Sequence, residues 1–157
     1  MQVKPLGSDE YPDLYSIILD TEPFATDSMP TFSHFKAAMA KVEGFALYDE
    51  GQMIGAATFN NLMPLVDVFL GFSIARDYWG RWASRDVLRT LGQFAFKDLS
   101  LPRISSITIK GLAPQSDAAL VKAGFRIEGV KENAACLPDG YHDVVLYGIL
   151  RERCRWI

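Results

Sequence analysis

The chain is poor in the residues that usually announce a specialised chemistry. Cysteine occurs twice, at Cys136 and Cys154, and histidine twice, at His34 and His142. No Cys-x-x-Cys pair and no Cys/His spacing of a zinc site is present, so no metal is expected. The two thiols are expected to be free, as in a reducing cytosol. Basic charge is also scarce. Sixteen Lys and Arg stand against nineteen Asp and Glu, for a net charge of −3. That balance gives nucleic acid no basic surface, so none is expected as a partner. The densest basic segment, Arg151 to Arg155, is interrupted by Glu152 and reads as a solvated tail. No apolar run approaches the ~20 residues that span a bilayer. The opening MQVKPLGSDEYPDLY holds no apolar signal core. A cytoplasmic protein without a membrane partner is the expectation.

What is present suits one globular domain over residues 1–157. Hydrophobic residues make up 49% and charged residues 22%, enough apolar material for a core without staples. A first strand is predicted at Gln2–Leu6, and Ser8 is placed to cap a helix carrying Leu14, Ile17 and Ile18 on one face. Residues 20–30 read as a loop. Thr31 to Val42 reads as a helix with the apolar stripe Phe32, Phe35, Met39 and Val42. Strands at Phe45–Tyr48 and Met53–Phe59 are joined by Asp49-Glu50-Gly51, a hairpin signal. Asn60–Pro64 reads as a second turn, leading into a nearly continuous apolar strand, Leu65–Ile74. Further elements are a helix from Ser84 to Leu99, a strand around Ile104–Ile109, and a short helix Ser116–Ala123 stopped by Gly124. Strands at Phe125–Val130 and Val144–Leu150 flank a Pro138-Asp139-Gly140 turn. The order β, α, α, β, β, β, α, β, α, β, β predicts an α/β fold with a mixed, partly parallel sheet and helices on both faces.

One stretch organises the rest. Val66 to Leu91 runs from an apolar strand, through a break at Arg76–Asp77 and a loop holding Gly80, Arg81 and Trp82, into an amphipathic helix. A strand feeding a glycine-bearing loop and a helix N-terminus is a common way to hold a phosphate. The first helical turn leaves backbone N–H groups free, and the helix dipole favours an anion there. Arg81 fits the same reading, because a cation beside a helix N-terminus is unfavourable unless an anion shares the site.

The order of elements, with three local motifs, resembles the GNAT superfamily of N-acetyltransferases. Tyr78-Trp79-Gly80-Arg81 resembles the Tyr-Trp-Gly-Lys of the branch that acetylates ribosomal-protein N-termini. Ser116, followed by Gly124-Phe125 and Glu128-Gly129, resembles a second signature of that branch. Asp143 to Leu150 resembles its closing strand, and the Arg-rich ending with Trp156 looks most like a subgroup met in tailed-phage genomes. The resemblance implies a mixed central sheet of about seven strands flanked by about four helices. It implies acetyl-CoA as co-substrate and an amine of a protein or small molecule as acceptor. Dimers are common in the family, so a homodimer is among the expectations. By the resemblance, Phe72, Ser73 and Ile74 offer backbone groups to the acetyl-pantetheine arm. Trp79, Gly80, Arg81, Trp82, Ala83 and Ser84 wrap the pyrophosphate. Two positions depart from the pattern: Trp82 stands where the family loop carries glycine, and Ala113 where it carries an Asn that contacts the cofactor arm.

Acetyl transfer from a thioester needs a neutral amine, a route for its proton and an acid for the leaving thiolate. Asp67, near the start of the central strand, is a candidate base; a solvated strand-end carboxylate is the commoner role. Ser116 is the candidate acid by position, or a cofactor-binding residue that hydrogen-bonds the sulfur region of CoA, with helix capping as the plainer alternative. Glu22 and Asp27, in the loop between the first helices, are candidates to attract a cationic amine, with simple solvation as the commoner role of such loop acids. His142, with its neighbours Tyr141 and Asp143, and His34 are weaker candidates. A second function class also fits the departures at Trp82 and Ala113: a GNAT domain with weakened catalysis serving as a CoA- or protein-binding module.

Overall fold

The computed structural model describes residues 1–22, 24–80 and 82–156, apart from the side chains of residues 82–84. Seven strands form one sheet: β1 (Gln2–Pro5), β2 (Glu43–Asp49), β3 (Gln52–Met63), β4 (Asp67–Ile74), β5 (Arg103–Ile109), β6 (Arg126–Leu137) and β7 (Gly140–Leu150). Their spatial order is β1-β2-β3-β4-β5-β7-β6. Neighbours run antiparallel except β4 and β5, which are parallel and joined through a helical crossover. Among the described residues five α-helices accompany them: α1 (Tyr11–Thr21), α2 (Ala25–Ser28), α3 (Phe32–Met39), α4 (Trp82–Gln93) and α5 (Pro114–Ala123).

Strand alternation divides the core between the two faces of the sheet. Ala46, Met53 and Ala56 pack with Leu14, Ile18 and Phe35 from α1 and α3. Their neighbours in sequence, Leu47, Ile54 and Ala57, point the other way and pack with Val87, Leu88 and Leu91 of α4. Successive strand side chains alternate faces, so one strand serves both cores.

The elements appear in the predicted order, with shifted boundaries. Gly7, not Ser8, precedes the first helical turn, and its N–H donates to Glu10 Oε2 at 2.9 Å. Residues 25–28 within the predicted loop form the single turn α2. β3 runs on to Met63 through the predicted Asn60–Pro64 turn. The chain reverses instead at residues 64–66, with Leu65 in the left-handed region at φ 65°. α4 starts at Trp82, two residues earlier than expected. Its end passes into a wider turn, Phe94–Asp98, where Leu99 N–H donates to Phe94 C=O. That five-residue step turns Phe96 fully inward, whereas Leu99 is only partly buried.

The charged residues Arg151, Glu152, Arg153 and Arg155 are exposed, as expected, but the tail is anchored at Trp156. Trp156 Nε1 donates to Ala123 C=O at 2.7 Å, and its ring packs 6.3 Å from Phe96. Gln93 Nε2 donates to Trp156 C=O at 3.2 Å. Gly92 makes room for the indole: a Cβ there would lie 2.5 Å from Trp156 Cζ3. The tail thereby clamps the C-terminal end of α4 to that of α5.

Candidate active site

The site begins where the sheet splits. Strands β4 and β5 pair at Phe69 and Ser105. One residue further on, Ser106 Oγ donates to Leu70 C=O at 2.8 Å. Past that point the strands part, and a cavity of about 750 Å³ opens between Gly71–Ile74 of β4 and Ser106–Ile109 of β5. Two parallel strands that stop pairing leave backbone N–H and C=O groups to be satisfied by something else. The cavity is enclosed by the end of α1 and by α2 on one side, by the start of α5 on another, and by Cys136–Pro138 of the β6–β7 hairpin.

Of the residues expected to form the site, Phe72, Ser73, Ile74, Trp79 and Ser116 line this one cavity. Trp79 Nε1 donates to Ile74 C=O at 2.7 Å, and the Arg76 guanidinium lies 4.7 Å over its ring. Arg76 is itself tied to Asp20 at the end of α1. Gly80, at φ 70°, makes the left-handed turn that carries the chain toward α4, a conformation that favours glycine. Trp82, Ala83 and Ser84 lie in the first turn of α4 rather than in a loop. Their amides therefore fall among the first-turn N–H groups that have no intrahelical partner. Arg81 lies outside the described residues, as do the side chains at 82–84.

Ser116 is not an N-cap. α5 starts at Pro114 with Ala113 before it, and Ser116 N–H donates to Ala113 C=O at 2.9 Å. Its hydroxyl is left for the cavity it lines. The next residue is one that sequence reasoning passed over. Asp117 Oδ1 accepts Thr108 Oγ1 at 2.6 Å and Tyr147 OH at 2.8 Å. These bonds pin the first turn of α5 to the cavity wall. Burial, and then the Asp117 carboxylate, pushes the Tyr147 hydroxyl above its ordinary pKa, so it remains a donor. Thr108 and Tyr147 stand 9 and 30 positions from Asp117, and no local signal would have joined the three.

Glu22 and Asp27 both line the cavity, and Glu22 Oε1 accepts Ser73 Oγ at 2.8 Å across it. Asp67 does not line it. Its side chain is 7% exposed, and its oxygens accept Val68 N–H at 2.8 Å, Ser105 Oγ at 2.5 Å and Arg103 Nε at 3.1 Å. His142 Nε2 lies 2.7 Å from Asp139 Oδ1 on the hairpin, and His34 Nδ1 lies 2.7 Å from Thr31 Oγ1 at the start of α3. Neither ring is among the lining side chains. No group of three or more metal-ligating side chains occurs among the described residues.

A mixed sheet of seven strands accompanied by helices is the architecture that the sequence resemblance implied. The chain matches the model of the acetyltransferase (GNAT) domain over residues 4–126, and it belongs to that family. It is 27% identical over 124 residues to YdaF of Bacillus subtilis (strain 168), a candidate ribosomal N-acetyltransferase, covering 78% of this chain and 67% of that one. It is 29% identical over 104 residues to the ribosomal-protein-serine acetyltransferase of Escherichia coli (strain K12). That match covers 66% of this chain and 58% of the relative, less than two thirds of its length. Among solved structures, a point mutant of the spermidine N-acetyltransferase of Vibrio cholerae shares the fold with a TM-score of 0.82 at 16% identity. The match covers 96% of this chain and 95% of that one.

Proposed function

We propose that the chain transfers the acetyl group of acetyl-CoA directly to a primary amine held in the cavity between β4 and β5. The observation that carries this reading is the split itself. The β4 edge over Gly71–Ile74 has lost its strand partner, and it offers backbone hydrogen bonds to an extended, amide-bearing arm. The diphosphate of the same molecule would meet the first-turn amides of α4, which Arg81 immediately precedes in the sequence. A wall of apolar side chains interspersed with hydroxyls and carboxylates suits a thioester and an amine, whose reaction depends chiefly on positioning.

In the transfer the amine nitrogen bonds to the thioester carbonyl carbon and the C–S bond breaks. A cationic amine first loses one proton to become the neutral nucleophile, its nitrogen loses a second as the amide forms, and the departing thiolate takes one, so one proton is released overall. Ser116 Oγ protonates the sulfur. The lining carboxylates Glu22 and Asp27 draw a cationic amine inward and receive its proton, directly or through water. Asp67 is set aside as base, because its oxygens are already engaged by Arg103, Ser105 and Val68. The acceptor class follows from those carboxylates. Ribosomal proteins, which the names of the relatives give for them, and spermidine, which the V. cholerae structure's name gives, both carry amines that are ammonium groups at neutral pH.

Two observations favour a second reading, a CoA- or protein-binding module with weakened turnover. Trp79 Nε1 already occupies the Ile74 carbonyl, and Ala113 replaces the Asn that the family pattern places against the cofactor arm. A mass-spectrometric screen of N-terminal peptides and polyamines with acetyl-CoA separates the two. Products heavier by the mass of one acetyl group replacing hydrogen are expected on at least one amine class. CoA binding with no acetylated product from any amine would favour the module.

A further inference from the structure

We propose that Asp67, Arg103 and Glu128 form an ionic latch that fixes the vertex of the β4–β5 split and thereby sets the width of the acyl-donor slot. This rests on the reading of the cavity as the acetyl-CoA site. The three residues come from three strands. Arg103, on β5, donates through Nε to Asp67 Oδ2 on β4 at 3.1 Å. It donates through Nη1 to Glu128 Oε1 on β6 at 2.8 Å, and through Nη2 to Glu128 Oε2. Ser105 Oγ completes the set, donating to Asp67 Oδ2 and accepting from Arg103. Between β5 and β6 lies β7, and the guanidinium–carboxylate pair passes over it at Gly148. A Cβ at that position would stand 2.6 Å from Arg103 Nη2 and closer still to the Glu128 carboxylate. The glycine is what lets the pair lie flat across the sheet.

The position of the latch along β4 gives it a function. From Asp67 the strand runs to Phe69, which pairs with Ser105, then to Leu70, whose carbonyl takes Ser106 Oγ, and then to Gly71–Ile74, which form the slot. Only one backbone register pair holds β4 to β5. A parallel pair held at so few points has little to resist further opening or closing. The bidentate, charge-assisted bonds of Arg103 supply that resistance just behind the vertex. A small rotation about the vertex becomes a larger displacement at the slot, where placement of the thioester decides the rate. Asp67 and Arg103 are thus positioning residues.

The test uses the full-length chain. Glu128→Gln breaks the latch chemically and Gly148→Ala breaks it sterically, and neither residue touches the cavity. Acetyl-CoA affinity is measured by calorimetry, and KM and kcat by thiol release with an acceptor amine. Val3→Ala on the opposite sheet edge serves as a control for stability loss alone. Both latch variants are expected to raise Kd and KM for acetyl-CoA about tenfold while Val3→Ala leaves them within about twofold. Asp67→Asn should show the same rise and keep the wild-type pH–rate profile at saturating donor. Unchanged donor KM in folded Glu128→Gln and Gly148→Ala overturns the latch. So does an Asp67→Asn variant with unchanged KM, a kcat about a hundredfold lower and a lost acid limb, since that is the behaviour of a base. Failure of the wild-type chain to bind acetyl-CoA would instead remove the cofactor reading on which the latch depends.

Discussion

Truncating Trp156 should destabilise this protein substantially, although it stands next to the end of the chain. The indole is partly buried against the main core, packs tilted against Phe96, fills the space above Gly92 and donates to Ala123 C=O. A tryptophan in such a setting removes roughly 150 Å² from water. At about 25 cal/mol per Å², that is an upper value of about 4 kcal/mol. Compactness of the unfolded chain takes away roughly 10–40% of it. The freed carbonyl of Ala123 regains water, so its hydrogen bond adds ~1 kcal/mol at most. Trp156→Ala is therefore expected to destabilise by about 3 kcal/mol, a drop in Tm of roughly 6–12 °C for a chain of this length. Gly92→Ala should act in the same direction by about 1–3 kcal/mol, because the new methyl must push the ring aside. Urea denaturation followed by tryptophan fluorescence and circular dichroism measures both. A Trp156→Ala protein with a urea midpoint and Tm indistinguishable from wild type would refute the clamp and return the tail to solvent.

The remaining predictions concern the site and its supports. Ser116→Ala should lower kcat by about a hundredfold with little change in acetyl-CoA affinity, read by steady-state kinetics beside calorimetry; equal turnover would remove its role as acid. Ala113→Asn gives α5 a capping side chain it lacks, and should stabilise the fold by about 1 kcal/mol in thermal denaturation and tighten acetyl-CoA binding. Glu22→Gln and Asp27→Asn should each raise KM for a cationic amine about fivefold, from ~1 kcal/mol per carboxylate at a water-exposed mouth, with the effect shrinking at high salt. Unchanged KM in both would move the acceptor away from α2. The Glu128 carboxyl is held below its ordinary value of 4.5 by its hydrogen bond to Arg103, with burial opposing. Its folded pKa is depressed, so its contribution is present above pH 4.5 and lost as pH falls through the folded value. The urea midpoint should fall on acidification below that point, and Glu128→Gln should flatten part of the fall.

The fold was largely readable from the chain because its elements have strong periods. The stripe Val87, Leu88 and Leu91 marks α4, and Gly124 stops α5 in the left-handed conformation (φ 98°) with its N–H on Leu120 and Val121 carbonyls. The readings failed where pairing rather than pattern decides structure. β6 extends to Leu137, far past the predicted Val130, yet nearly all of its residues are exposed, so no buried alternation marks them. It is a strand because β7 hydrogen-bonds to it across a tight turn. The wide turn after Gln93 breaks the helical period, so regular helical spacing does not mark Phe96 as buried.

Site residues divide the same way. Phe72, Ser73, Ile74, Trp79 and Ser116 were named from motifs that the chain keeps contiguous, and one cavity gathers them. Asp67 stands out in the sequence only by its type and its place near the start of a strand. Its meaning depends on Arg103, 36 residues further along, and on Glu128 beyond that. Likewise Asp117 gains its role only when β5 and β7 bring Thr108 and Tyr147 to it. No spacing rule connects such residues, because long-range strand pairing creates their contacts.

Calorimetric titration of the folded chain with acetyl-CoA tests the central claim most directly. The account predicts saturable one-to-one binding, with a dissociation constant well below millimolar, competed by CoA and weakened by Glu128→Gln. Absence of binding at millimolar acetyl-CoA, in a protein shown to be folded by circular dichroism, would contradict it.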